Sequence, residues 1–413
     1  PRLLKEMEED GVPTTAEEIA PPMPPDEENA AVLLNPAFKY YYTHKEPIDA
    51  DAKVFSTNKD IPANHKLSKE TEEYLEMSHL AFQRPKMVFE RDYSDPINTM
   101  FPEFAPTKLL TKLHGLDMRL AARRGDWARA RKNAETLVSI CNFTAGEPSL
   151  IGALVCIADR AITLADIGKL LGEVQDTEAA LDLAQYVSDN MIELNILDPI
   201  DFESYTHYFL CSSDQPINMG ELSGGREPSP IPHTTYGRIL KARVLEKHLE
   251  LRKIYKENYN NWPKLRKELH TYVKAMDNLS PDYTLAVILG PTYTSIVDAY
   301  MKDKQLHQVL AVTIKIHEYK LKNGSFPPAD SNLIEDELFT EGKLNYIPSK
   351  EGFKLYSVGW DGMDNGGIEV KKKPGDESQY GGDVVYTFRA PKSELRFMRN
   401  ASEGNLLPGN IHP

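Results

Sequence analysis

Cysteine is scarce in this chain: three residues, Cys141, Cys156 and Cys211. A sparse, odd-numbered set excludes a disulfide framework, and none of them has zinc-ligand spacing. Cys141 and Cys156 either bridge two adjacent helices or stay as buried thiols, and buried thiols are the expectation. Long apolar runs are also missing. No stretch of about 18 apolar residues occurs, which excludes a transmembrane helix within the sequence. Positive charge is in deficit: 48 Lys and Arg face 62 Asp and Glu, a net charge of -14. Such a chain gains nothing from counterion release, so nucleic acid is set aside as a partner. The same charge favours solubility and cation binding.

Catalytic signatures are absent as well. There is no His-Glu-x-x-His, no phosphate loop, no Gly-x-Ser-x-Gly and no dinucleotide fingerprint. The eleven histidines are scattered. His307 and His317 share a predicted helix but sit too far apart to chelate one ion, so core-edge or solvated roles fit them better. Carboxylates are too numerous to single out a glycosidase pair.

What is present builds a mainly helical protein. With 413 residues, 41% of them hydrophobic, the chain can bury one or more sizeable cores, and two or three domains are expected. Residues 1–30 read as a Pro-rich arm: a cap-like "TTAEEIA" precedes Pro21, Pro22, Pro24 and Pro25. It suits a stalk or a strap across the body. The chain opens at Pro1 without Met, and a signal or membrane anchor upstream is expected.

Residues 31–300 read as a helical domain, an irregular array of hairpin-like helix pairs. "FKYYYTH" (Phe38 to His44) is expected to be a helix end buried in a core. "LSKETEEYLEMSHLAFQ" puts Tyr74, Met77, Leu80 and Ala81 on one helical face. In "RRGDWARA", Gly125 ends one helix, Asp126 caps the next and Trp127 staples the join. Residues 193–235 look less regular, and "SGGR" within them reads as a loop. Trp262-Pro263 marks a helix start. Leu285 to Gly324 is one or two buried helices, broken or kinked near Gly290-Pro291.

After Gly324 the texture changes. "KLNYI", "FKLYSV" and "DVVYTFR" are short runs of β-branched and aromatic residues, with "PSKEG" (Pro348 to Gly352) as the first turn. An antiparallel sheet is expected over about 340–390. Residues 391–413 form a polar tail. Between the last two runs lies "WDGMDNGG", which gathers Asp361, Asp364 and Asn365. Asp and Asn beside Gly are ordinary turn chemistry. They are also oxygen donors of the kind calcium takes, and the returning chain brings Asp383. EF-hand spacing is absent.

"HQVLAVTIKIHEYKLKNGSFPPADSNL" followed by "GKLNYIPSKEGFKLYSVGWDGMDNGG" and "GGDVVYTF" resembles the C-terminal domain of type II secretion major pseudopilins. The matching residues are Tyr319, Gly324, Phe326 and Pro327 at the helix end. In the loop they are Tyr356, Ser357, Gly359, Asp361 and Gly362, and later Asp383-Val384. The resemblance spans about the last quarter of the chain. The whole chain also resembles uncharacterised exported bacterial proteins with a helical region before such a domain. Two departures stand out: the long apolar N-terminal stem of a pilin is missing, and the segment from Gly367 to Asp383 is longer and more charged.

The resemblance implies a pilin-like α+β module over 301–390. It implies one Ca²⁺ held by Asp361 and Asp383 with loop carbonyls; the loop itself offers Asp364 or Asn365 as a further ligand. It implies a place outside the cytoplasm, periplasmic or at the cell surface. Three functions stay open. The first, and the expectation, is a non-enzymatic scaffold that binds protein partners, in or beside a membrane-associated assembly. The second is an accessory part of a secretion or pilus-like machine. The third is a hydrolase, for which a deep pocket lined by carboxylates with raised pKa would speak.

Overall fold

The structure is a computed structural model. It describes residues 2–56, 61, 65–96, 99–174, 178–212, 235–259, 261–276, 284–329, 344–349, 352–357, 364–368 and 384–389. Helices dominate: α1 (Arg2–Glu9), α2 (Ala16–Ile19), α3 (Ala30–Thr43), α4 (Lys45–Ser56), α5 (Lys69–Ala81), α6 (Phe104–Arg123) and α7 (Trp127–Thr144) come first. Then follow α8 (Leu150–Glu173), α9 (Glu178–Asn190), α10 (Leu197–Ser212), α11 (Thr235–Asn258), α12 (Trp262–Met276) and α13 (Thr284–Asn323). Three strands close the order: β1 (Asn345–Ser349), β2 (Gly352–Ser357) and β3 (Val384–Arg389). Among the described residues every strand lies after Gly324, where the texture of the sequence changes.

The α6–α7 hairpin forms as its sequence dictates. Gly125 takes φ +77°, a left-handed value that suits glycine at a helix end. The Asp126 carboxylate then accepts from the Arg129 N–H at 3.1 Å and caps α7. α6 packs on α7 and α8, and α8 packs on α13.

The α6–α8 seam is polar. Thr111, Gly115, Arg119 and Arg123 sit on successive turns of α6, opposite Asp159, Asp166 and Glu173 at heptad spacing on α8. Thr111 Oγ1 donates to Asp159 at 3.0 Å. Arg119 donates to Asp166 and Glu173, and Arg123 to Glu173. Gly115 is where the backbones close up: a Cβ there would lie 2.1 Å from Asp166 Oδ2. A helix-interior Gly→Ala ordinarily gains about 1 kcal/mol. Here Gly115→Ala must push a fully buried carboxylate off its partners, so a loss of about 2–3 kcal/mol is expected. Urea melts of Gly115→Ala in the wild-type and Asp166→Ala backgrounds check this: the sign should reverse in the second.

The sheet is an antiparallel meander in the order β1-β2-β3. Tyr346, Leu355 and Tyr386 form one cross-strand row, and Pro348, Phe353 and Phe388 the next. All but the proline join a core that also holds Leu306, Leu310 and Ile314 of α13 and residues of α6 to α9. Cross-strand aromatic pairs of this kind stabilise a sheet; Phe353 and Phe388 stack at 4.6 Å.

Four features differ from the sequence reading. Ser78 and His79 of α5 are buried while Leu80 is exposed, because the polar pair finds partners on α6 and α7. Residues 197–212, read as irregular, form α10; its buried Ser204 and His207 interrupt the apolar periodicity. α13 runs unbroken past Gly290-Pro291. The first hairpin turn is shorter than "PSKEG", since Pro348 and Ser349 pair within β1; among the described strands β1 pairs on one side only, where proline is tolerated.

Candidate functional site

The residues on which the resemblance rests have identifiable structural tasks where they are described. Gly324 follows α13 at φ +74°, and its N–H bonds the Lys320 carbonyl at 2.7 Å. Phe326 then packs edge-on against His317 and Phe353. The Pro327 carbonyl accepts from the Tyr346 hydroxyl at 3.0 Å. Ser357 is tied to Gln305 of α13. The helix end is thus fastened to the sheet by both apolar and polar contacts.

Two of the four proposed ion ligands are placed, Asp364 and Asn365; Asp361 and Asp383 lie outside the described residues. Asp364 is exposed and Asn365 half-buried. One Asp364 oxygen accepts from the Gly366 N–H at 2.8 Å, an Asx turn that enters the left-handed Gly366 (φ +70°) and Gly367 (φ +72°). Gly367 lies flat on the outer face of β2: a Cβ there would meet Tyr356 at 3.0 Å and Lys354 at 3.1 Å. Lys354 Nζ donates to the Gly367 carbonyl at 3.1 Å. The opening loop therefore returns to cover the sheet. Ile368 follows it and is exposed, as is Ile347 on β1. The donor set is all oxygen, which suits Ca²⁺, and Asp364 brings it one carboxylate oxygen besides the one in the turn.

Three buried polar clusters escaped the sequence reading. In the first, Ser78 Oγ faces His114 Nε2 at 2.8 Å, and His114 Nδ1 faces Asn133 Oδ1 at 2.7 Å. Asn133 donates to Asp117 at 2.7 Å, which fixes its amide orientation. Asn133 Oδ1 can only accept, so the ring donates through Nδ1. Burial holds its pKa down, at about 4. In the second, Ser204 Oγ contacts His248 Nε2, and His248 Nδ1 lies 3.2 Å from His207 Nδ1. Burial depresses both rings, His207 to about 4.

Both clusters have the connectivity of nucleophile, base and orienting group. Neither is arranged to attack a substrate. Ser78 and Ser204 are fully buried in helix interiors, where the neighbouring N–H groups are spent in the helix rather than aimed at an oxyanion. They are core ties between helices.

The third cluster lines a cavity of about 30 Å³, walled by Phe89, Phe104, Phe143 and Pro21. Arg91 Nη2 donates to Glu103 at 2.5 Å and Glu147 at 2.9 Å, with its guanidinium 4.6 Å from the Phe101 ring centroid. Burial pushes both carboxyls up, against the pull of Arg91. At about 30 Å³ the space is of a size for a water or two.

Charged residues inside an apolar helix were the legible signal for such burial: Asp159, Arg160 and Asp166 stand in "SLIGALVCIADRAITLADIGKLL". Cys141 and Cys156 are free, buried thiols on α7 and α8. Among the described residues no helix is long and apolar enough to cross a membrane, and no group of three His, Cys, Asp or Glu side chains is gathered as for a metal. In comparisons with protein-family models, curated proteins and solved structures, nothing matches the chain.

Proposed function

We propose that the protein is a non-enzymatic interaction scaffold acting outside the cytoplasm. In this reading the helical body presents a calcium-braced, pilin-like C-terminal module to a protein partner. The observation that carries the reading is the asymmetry of the sheet. Its inner face is sealed into the core shared with α13 and the body, while Ile347 and Ile368 stand exposed beside the loop that covers β2. An isolated exposed apolar residue is ordinary; two beside a fastened loop give a partner an anchor point. Service in a secretion or pilus-like assembly is a special case of the same docking. The location rests on the resemblance to exported chains.

The alternative, a hydrolase, is favoured by the raised carboxyls of Glu103 and Glu147 beside the cavity. Both are engaged by Arg91 in a cavity of water size, so the scaffold reading is preferred. A photo-crosslinking residue at Ile347 or Ile368 tests it in native cells. Discrete protein adducts are expected from these positions and none from Tyr42, an exposed residue on α3. Adducts from Tyr42 alone would overturn the docking face.

A further inference from the structure

Residues 2–25 lie across the body and are held there by side chains. Met7 and Val12 are buried against Leu245 and Leu249 of α11. Ile19 enters a pocket formed by Tyr93, Phe202 and Tyr205. Between these anchors, the Asp10 carboxylate meets Arg252, and Lys256 Nζ lies 3.3 Å from it. Both cations also donate to the Asp10 carbonyl, at 3.0 and 3.1 Å. Among the described residues no backbone-to-backbone hydrogen bond joins residues 13–24 to the rest of the molecule.

The attachment changes abruptly at Asn29. Its side chain is locked to the Val88 backbone at 2.8 and 3.0 Å, and the Ala30 N–H bonds the Lys86 carbonyl at 2.7 Å. Just before this fixed point stand Pro21, Pro22, Pro24 and Pro25, a stiff run that favours an extended chain over a compact return.

We propose that residues 2–25 are an exchangeable strap, and that the face they cover is where a second copy of this chain docks, by reciprocal strap exchange. A second copy is the one occupant whose fit is already built: its Met7, Asp10, Val12 and Ile19 would meet the same pockets and the same Arg252. Every contact of the closed monomer is reproduced in the exchanged dimer. The balance is then set by concentration and by the hinge, which is why exchange is a low-cost route to symmetric dimers. Arg252 also holds Asp201 at 2.8 Å, a contact outside the strap that keeps its guanidinium in place while the strap is away. The inference is independent of the C-terminal module.

Complementary charge reversal tests it on the whole chain. Asp10→Lys spoils the strap of one copy, and Arg252→Glu spoils the groove of the other. Within either variant the pair is mismatched. In an exchanged heterodimer both junctions are matched: the introduced lysine meets the introduced glutamate, and Asp10 meets Arg252. Sedimentation and native mass spectrometry should find at least about tenfold more dimer in the equimolar mixture than in either variant alone, as expected for restored close charge pairs. Two folded variants that stay monomeric when mixed overturn the proposal. If Arg252→Glu does not fold, wild-type copies carrying light and heavy nitrogen are incubated together at high concentration. Mixed-isotope dimers that vanish in Asp10→Lys support exchange, and their absence overturns it.

Discussion

Replacing Arg160 by Met should cost about 3–5 kcal/mol, because it leaves a buried carboxylate without its partner. Arg160 Nε donates to both oxygens of Asp303, at 2.8 and 2.9 Å, and the two side chains are 3% and 2% exposed. Its Nη1 satisfies the Ile192 carbonyl at 2.7 Å, and its Nη2 donates to His307 Nε2 at 2.5 Å. Burial, with the Arg160 charge adding to it, holds His307 neutral and brings its pKa down to about 3. This cluster joins α8 to α13, the helix that carries the sheet. Methionine keeps the stem volume, so the loss is electrostatic rather than a cavity. Urea denaturation of Arg160→Met and of Arg160→Met/Asp303→Leu separates these terms. The double variant should regain most of the loss. A single-variant loss below about 1 kcal/mol would mean that water reaches Asp303.

Asp159→Asn is expected to stabilise the protein at alkaline pH and to do little in acid. Asp159 is fully buried between α8 and α6, with Thr111 as the donor to one oxygen and no partner for the other. Burial raises its pKa from 3.8 to about 7, and the Thr111 hydrogen bond and the charges of Lys108 and Lys112 only partly oppose this. The folded state therefore holds the proton more tightly than the unfolded state does. Its favourable contribution is complete below pH 3.8 and is lost progressively as pH rises through about 7. Asparagine has no proton to lose. The variant should gain up to about 4 kcal/mol over wild type at pH 8, and close to nothing at pH 4. Chemical denaturation at the two pH values checks it; an equal effect at both would place an ionised Asp159 in the native state.

These clusters also mark the limit of what the sequence disclosed. The α6–α7 turn was readable because Gly125 and Asp126 act on their own neighbours. So was the change to β structure after Gly324, where alternation replaces helical spacing and Phe353 and Leu355 take the inner face. The face of α5 was not readable. Ser78 and His79 are buried by virtue of His114 and Thr136, residues far along the chain, and no local periodicity encodes them. α10 was missed for the same reason, since Ser204 and His207 answer to His248 on α11. The candidate loop was legible as a turn, and Asp364 and Gly366 make that turn. Its two central carboxylates, Asp361 and Asp383, fall outside the described residues.

The central claim, a C-terminal module braced by calcium, is tested most directly by melting the protein in calcium and in chelator. A ligand that binds only the folded state stabilises it by about 2.7 kcal/mol at one hundred times its dissociation constant. Crowded carboxylates in one loop repel each other until a cation neutralises them. The account predicts a higher melting temperature in millimolar Ca²⁺ than in chelator, and loss of that difference in Asp361→Ala and in Asp383→Ala. Identical melting of the wild-type protein in calcium and in chelator would contradict it, leaving Asp364 and its glycines as a turn and nothing more.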